Sequence, residues 1–167
     1  MITFHNGWWP YFQLAFLALF SVGVNTVDDT LKAMLATDPM EHRFLRGFGW
    51  PAGSCEDASA VLAAVLEDRR LGQWIFVSAG RPDGEADGHA WLEWRAANGG
   101  VLFSIDPTIE QFPGHSEPYI GEGQTPVAAI FSVIRWEGVI WDWPDLGYPD
   151  MPLRRLIAAV RMRLVSS

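Results

Sequence analysis

Cysteine is almost absent from this chain of 167 residues: Cys55 stands alone. One thiol cannot close an internal disulfide, and it cannot build a Cys-rich zinc site. Basic residues are also scarce, with 12 Lys and Arg against 20 Asp and Glu and a formal net charge of −8. A surface that tracks phosphates needs clustered Lys and Arg, so this balance argues against nucleic acid as a partner. Metal motifs are missing too. There is no H-E-x-x-H, no cysteine pair and no carboxylate cluster, and no metal or other cofactor is expected. Gly47-Phe48-Gly49 lacks the strand and helix context of a nucleotide loop, and Ser54 does not sit in G-x-S-x-G, which argues against a serine hydrolase. His5 and His42 are isolated, and His115 in its Pro-Gly loop reads as a solvated turn residue. No internal repeat or low-complexity linker divides the chain.

What is present is apolar. A hydrophobic fraction of 49% over 167 residues suffices for one core and is too little for two. The reading is a single domain over 1–167, with a core over 50–121 and helical flanks over 8–37 and 150–165. Trp8 to Val24 carries no charge, yet no basic region precedes it and no small-residue cleavage site follows. Pro10 and Gln13 interrupt a run already short of a membrane span, so it reads as a core helix first, with a membrane anchor and a partner-binding surface as the alternatives. A free thiol suits a reducing, cytoplasmic compartment.

Along the chain, Asn25 or Thr26 can cap a short helix with Asp28 and Asp29 in its first turn and Leu31, Met34 and Leu35 on its apolar face. Arg43 to Gly53 reads as a loop. Ser54 then caps a second helix, with Asp57 at the third position and Ala58, Val61, Leu62 and Val65 recurring at i, i+3, i+4 and i+7 until Gly72 ends it. Trp74 to Ser78 predicts a strand. His89 to Arg95 and Gly100 to Asp106 predict a hairpin across Ala96-Ala97-Asn98-Gly99, with Arg95 opposite Gly100 and therefore His89 directly opposite Asp106. Pro107 to Gly123 reads as turns, Ala128 to Trp136 as helix or strand, Gly138 to Trp143 as a strand. Pro152 opens a last helix, with Leu153, Leu156, Ile157 and Val160 as its buried stripe and Arg161 and Arg163 near its C-terminal end.

This layout places Cys55 in the first turn of a helix, where unpaired backbone N–H groups favour thiolate, the form that attacks a carbonyl carbon. Glu56 and Asp57 oppose that unless they face solvent. His89 is the candidate base, and Asp106 the carboxylate that orients its ring. Taken singly, each has a bland reading: a buried cysteine, a core histidine, an aspartate that starts a turn at Pro107. Their order and placement together favour catalysis.

Gly53-Ser54-Cys55 opening a helix, Gly88-His89-Ala90-Trp91-Leu92-Glu93, and Ile105-Asp106-Pro107-Thr108 resemble the papain-like and transglutaminase-like cysteine enzymes, the bacterial transglutaminase-like branch most. The His motif is also similar to that of lasso-peptide leader peptidases. The resemblance spans roughly Trp50 to Gly121. It implies an α+β fold with the nucleophile's helix packed on an antiparallel sheet, and a Cys55-His89-Asp106 triad acting on peptide or glutamine amides through a covalent acyl-enzyme. It further implies a peptide or protein substrate, with peptidase ahead of deamidase or transglutaminase. Papain-type enzymes carry an oxyanion-hole Gln shortly before the nucleophile, where this chain reads Gly47-Phe48-Gly49-Trp50. The candidate donors are the Cys55 backbone N–H and the Trp50 indole, with Gln13 a distant third, and Ser54 is also placed at this site. Trp91 and Glu93 share a strand face with His89 and are expected to line the cleft, although Trp91 alternatively shields the site from water. The competing function is a binding or accessory protein that keeps the fold and holds a peptide in an aromatic groove.

Overall fold

In the computed structural model, residues 25–27, 29–33, 50–85, 87–146 and 152–166 are described. The apolar run after Ser54 forms helix α1, Cys55–Asp68. Every residue from Ala58 to Leu66 is buried, so α1 is apolar all round rather than on one face. It is covered by the sheet on one side and by α2, Pro152–Ser166, on another. Each such Leu or Val contributes roughly 1.5 to 3 kcal/mol by leaving water.

Five antiparallel strands form one sheet: β1 Ile75–Gly80, β2 Gly88–Arg95, β3 Val101–Asp106, β4 Tyr119–Glu122 and β5 Val133–Gly138. Their spatial order is β4-β3-β2-β1-β5. The strand period of two divides the sheet into two faces. Phe76, Ala90, Leu92, Phe103 and Ile105 turn towards α1 and share its core with Val61, Leu62 and Leu66. Val77, Ala79 and Trp91 turn the other way and pack with Ile109, Val127 and Phe131. Helix α2 presents Leu153, Leu156, Ile157 and Val160 to the first core, as their spacing predicts. Arg161 acts differently from a dipole-complementing charge: its guanidinium donates two bonds to Asp68, at 2.6 and 2.7 Å, and ties α2 to the end of α1.

The hairpin register departs from the expected one. Gly99 takes a left-handed φ of 84°, its N–H donates to the Ala96 carbonyl oxygen, and Ala96 N–H donates to Gly100, so the loop closes one residue further on. A second irregularity lies between Trp94 and Arg95, which extrudes the exposed Leu102. Arg95 therefore faces Val101 and Leu92 faces Ile105, so His89 and Asp106 are not directly opposite. Relative to the expected pairing the strand body has slipped by two, an even number, and every side chain keeps its face.

Other differences are local. The helix after Ser54 ends at Asp68, ahead of Gly72, through a turn at Arg69 and Arg70. The run Gly138 to Trp143 is not a strand. It continues β5 only at Gly138, and a 3-10 turn over Ile140–Asp142 follows. Ile140 and Trp143 are the buried pair there, three residues apart, which is the 3-10 period and not the strand period. Strand β4 and a 3-10 turn over Ile109–Gln111 lie inside the stretch read as turns. Residues 25–27 and 29–33 are helical and bury Val27 and Leu31, but Asn25 and Thr26 are already within the helix. The expected core helix over Trp8 to Val24, and most of the loop over Arg43 to Gly53, lie outside the described residues. Among the described residues no helix is long and apolar enough to cross a membrane.

Candidate active site

Cys55 is delivered by a tight turn. Gly53 takes a φ of 73°, which a side chain would resist, and the Ser54 N–H donates back to the Pro51 carbonyl oxygen at 3.2 Å. Ser54 is the N-cap residue and is buried, but its side chain does not cap the helix. Cys55 is the first helical residue, so its backbone N–H has no intrahelical acceptor. Two hydroxyls fasten this end of α1 to the sheet: Ser59 Oγ donates to the Ala90 carbonyl oxygen at 3.0 Å, and Ser78 Oγ donates to Glu56 Oε1 at 2.9 Å. The Cys55 sulfur then lies 4.0 Å from the Gly88 carbonyl oxygen, at the first residue of β2 and one residue before His89.

His89 and Asp106 meet on the face away from α1. They are diagonal neighbours rather than a facing pair, a separation that two extended side chains can bridge. His89 Nε2 donates to Asp106 Oδ2 at 2.8 Å, with both side chains fully buried. The carboxylate is satisfied from two further sides, by Thr125 Oγ1 on Oδ2 at 3.0 Å and by the Thr108 backbone N–H on Oδ1 at 3.3 Å. Gln111 Nε2 lies 3.3 Å from the other ring nitrogen, Nδ1. Phe112 meets the ring edge-on at 4.8 Å, and Phe131 and Trp91 pack at 5.4 and 6.0 Å between centroids. Burial presses this imidazole towards neutrality, but hydrogen bonding to Asp106 and to Cys55, reinforced by their charge, lifts its pKa from 6.5 to about 9.

The two carboxylates after Cys55 do not both point freely into solvent. Glu56 is held by Ser78, and Asp57 is pushed up from 3.8 to about 6 by burial and then by the neighbouring charge of Glu56. A folded pKa above the unfolded one means that the protonated Asp57 favours folding below pH 3.8 and that this benefit is lost as pH rises through 6. At neutral pH the ionised Asp57 therefore costs stability. Asp57→Asn is expected to raise the melting temperature at pH 7 by about 2 to 6 °C, for a gain of about 1 to 2 kcal/mol after solvent screening. Thermal unfolding at pH 7 and at pH 3.5 checks this, because the gain has to vanish at the lower pH.

Trp91 and Glu93, expected at the cleft, are instead internal. They are 1% and 2% exposed, and Trp91 Nε1 donates to Glu93 Oε1 at 2.8 Å while Arg95 Nε donates to Oε2 at 2.8 Å. Arg95 continues the chain to Glu137 at 2.7 Å. Trp91 is thus a wall behind His89 and Glu93 is its anchor. Trp50 packs on the core cluster that includes Cys55, and its buried indole N–H finds no acceptor among the described residues. Gln13 lies outside the described residues.

Four contributors had no role assigned from the sequence: Thr108, Gln111, Thr125 and Ser59. Gln111 had a signal of sorts, five positions after Asp106 in a segment with no strong strand pattern. Thr125 had none, since nothing local relates it to a residue 19 positions earlier. Among the described residues there is no group of three or more His, Cys, Asp and Glu able to hold a metal ion. The arrangement sets a thiol at a helix head against the start of the strand that carries His89, an imidazole whose Nε2 is pinned by a buried carboxylate. Compared with protein-family models, curated proteins and solved structures, the chain matches none of them.

Proposed function

We propose that this protein is a cysteine-dependent hydrolase or acyltransferase of peptide or glutamine amide bonds, of the papain-like and transglutaminase-like kind. The observation that carries the reading is the His89 ring, bound through Nε2 to Asp106 at 2.8 Å, with the Cys55 sulfur 4.0 Å from the carbonyl oxygen of Gly88, the residue just before it. That leaves Nδ1 for the sulfur. In this mechanism the Sγ proton passes to Nδ1 and the thiolate attacks the amide carbonyl carbon. The negative oxygen of the tetrahedral intermediate takes the Cys55 backbone N–H, which has no intrahelical acceptor, and the buried Trp50 indole N–H, which has no acceptor among the described residues, is the candidate second donor. The C–N bond then breaks, His89 returns the proton to the leaving amine, and a thioester on Cys55 remains. Water or an incoming amine, deprotonated by His89, resolves it and restores the thiol. Peptide cleavage is the first choice, ahead of deamidation and transamidation.

Burial favours a second reading. Cys55 is 8% exposed and His89 1%, values that suit a binding or accessory protein in which the triad is a fossil. Reactivity separates the two. At pH 7 iodoacetamide is expected to label Cys55 about tenfold faster than a small free thiol, and His89→Ala is expected to remove that advantage. A Cys55 that reacts only once the protein is unfolded would point to the binding role.

A further inference from the structure

The Gln111 carboxamide reaches three acceptors. Its Nε2 lies 3.0 Å from the Thr108 carbonyl oxygen, 3.2 Å from Thr108 Oγ1 and 3.3 Å from His89 Nδ1. An amide nitrogen has two hydrogens. The carbonyl oxygen can only accept, so it takes one of them and fixes which end of the amide is nitrogen. The second hydrogen is left with two acceptors at nearly equal reach, one on the threonine and one on the catalytic ring.

These two acceptors differ in one respect. Thr108 Oγ1 always has a lone pair, whereas Nδ1 has one only while it is unprotonated. With Nε2 committed to Asp106, Nδ1 is the nitrogen left to exchange a proton with Cys55 in the proposed chemistry. While that proton is on sulfur, Gln111 can donate to Nδ1. When it moves from Sγ to Nδ1, giving thiolate and imidazolium, two N–H groups face each other and the amide hydrogen has to turn to Thr108 Oγ1. We infer that Gln111 and Thr108 are positioning residues that set where the shared proton of Cys55 and His89 rests, Gln111 favouring the thiol and Thr108 releasing the ion pair. This rests on the thiol chemistry proposed for Cys55.

The charges around the pair, among the described residues, come from several elements. Asp106 on β3 favours imidazolium, and Glu56 and Asp57 on α1 disfavour thiolate. Glu93 on β2 is held by Trp91 and Arg95, and Arg135 on β5 donates to the Asp87 carbonyl oxygen at 3.0 Å beside Gly88. None of these groups is altered by uncharged substitutions at 108 or 111.

The test is the apparent pKa of the Cys55 thiolate, read from the pH dependence of alkylation of the full chain. Gln111→Met removes the donor that holds Nδ1 unprotonated and is expected to lower that pKa by about half to one unit; Thr108→Val removes the alternative acceptor and is expected to raise it by a similar amount. General loosening of the site would move both variants in one direction, so shifts of equal sign, or no shift in either, overturn the inference. Alkylation of wild-type Cys55 that ignores His89→Ala sinks the thiol chemistry instead. In Cys55→Ala, where no thiol is present, the nitrogen NMR resonance of His89 Nδ1, read at a pH above the ring's own titration, is expected to report an accepted hydrogen bond that Gln111→Met abolishes. An unchanged resonance overturns the role of Gln111 whatever Cys55 does.

Discussion

Asp106→Asn is expected to reduce the Cys55-dependent rate by about 10³ to 10⁴ while leaving the fold in place. The asparagine side chain fills the same volume, and its neighbours can still be partnered: Thr125 Oγ1 can donate or accept, and the Thr108 N–H needs only one acceptor. What changes is the ring. The carboxylate only accepts, so it requires a proton on Nε2 and leaves Nδ1 unprotonated, able to take the thiol proton in the proposed mechanism. An amide nitrogen in its place permits the opposite tautomer, with Nδ1 protonated and unable to take the thiol proton. The rate of thiol alkylation at pH 7 should fall with the catalytic rate, and an unchanged rate in both would remove Asp106 from the mechanism.

The same substitution has a thermodynamic signature. The folded pKa of His89, about 9, lies above its ordinary 6.5, so the imidazolium contributes stability in full below pH 6.5 and loses it as pH rises through 9. The wild-type protein should therefore lose on the order of 1 to 3 kcal/mol across that window, and Asp106→Asn should flatten the slope. Chemical denaturation at pH 6 and pH 9.5 reads both. In the proposed mechanism the alkaline limb of activity is tied to the same group, because thiolate paired with imidazolium persists only while the ring keeps its second proton.

The parts of this site legible in the sequence were those governed by period and parity. Cys55 could be placed at a helix head because Gly53-Ser54 precedes a run with apolar residues at i, i+3, i+4 and i+7, and α1 begins there. His89 and Asp106 could be placed on one face because alternation along a strand survives any even slip, and the slip here is two. The pairing itself was not legible. It depends on the left-handed Gly99 and on the extrusion of Leu102, and two successive bulges leave no mark in the apolar pattern. Gln111 and Thr125 were hidden for another reason. They join the site through a 3-10 turn and a loop next to the short edge strand β4, where polar residues form contacts that follow from tertiary placement and not from local spacing. The burial of α1 on all sides also needed the structure, since the spacing indicated only one apolar face.

Trp91→Ala is expected to be the most damaging single change outside the triad, costing about 3 to 5 kcal/mol and lowering the melting temperature by roughly 10 °C or more. Trp91 is the largest fully buried side chain among the described residues, and truncation leaves a cavity between Val77, Ile109 and Phe131. It also leaves Glu93 Oε1 without its indole donor inside the protein, and one wall of the His89 ring is gone. Trp91→Phe separates these effects. It retains much of the ring volume and loses the N–H, so it should cost about 1 to 3 kcal/mol. The partly solvated Arg95 still holds the other carboxylate oxygen. If the orphaned oxygen is the main penalty in Trp91→Phe, adding Glu93→Gln should recover part of it, and the double-mutant cycle should return a coupling of about 1 kcal/mol. A cycle that closes to zero would mean that the indole N–H contributes nothing and that Trp91 supports His89 by volume alone, in which case the alkylation rate of Cys55 should track ring size at position 91 and ignore position 93.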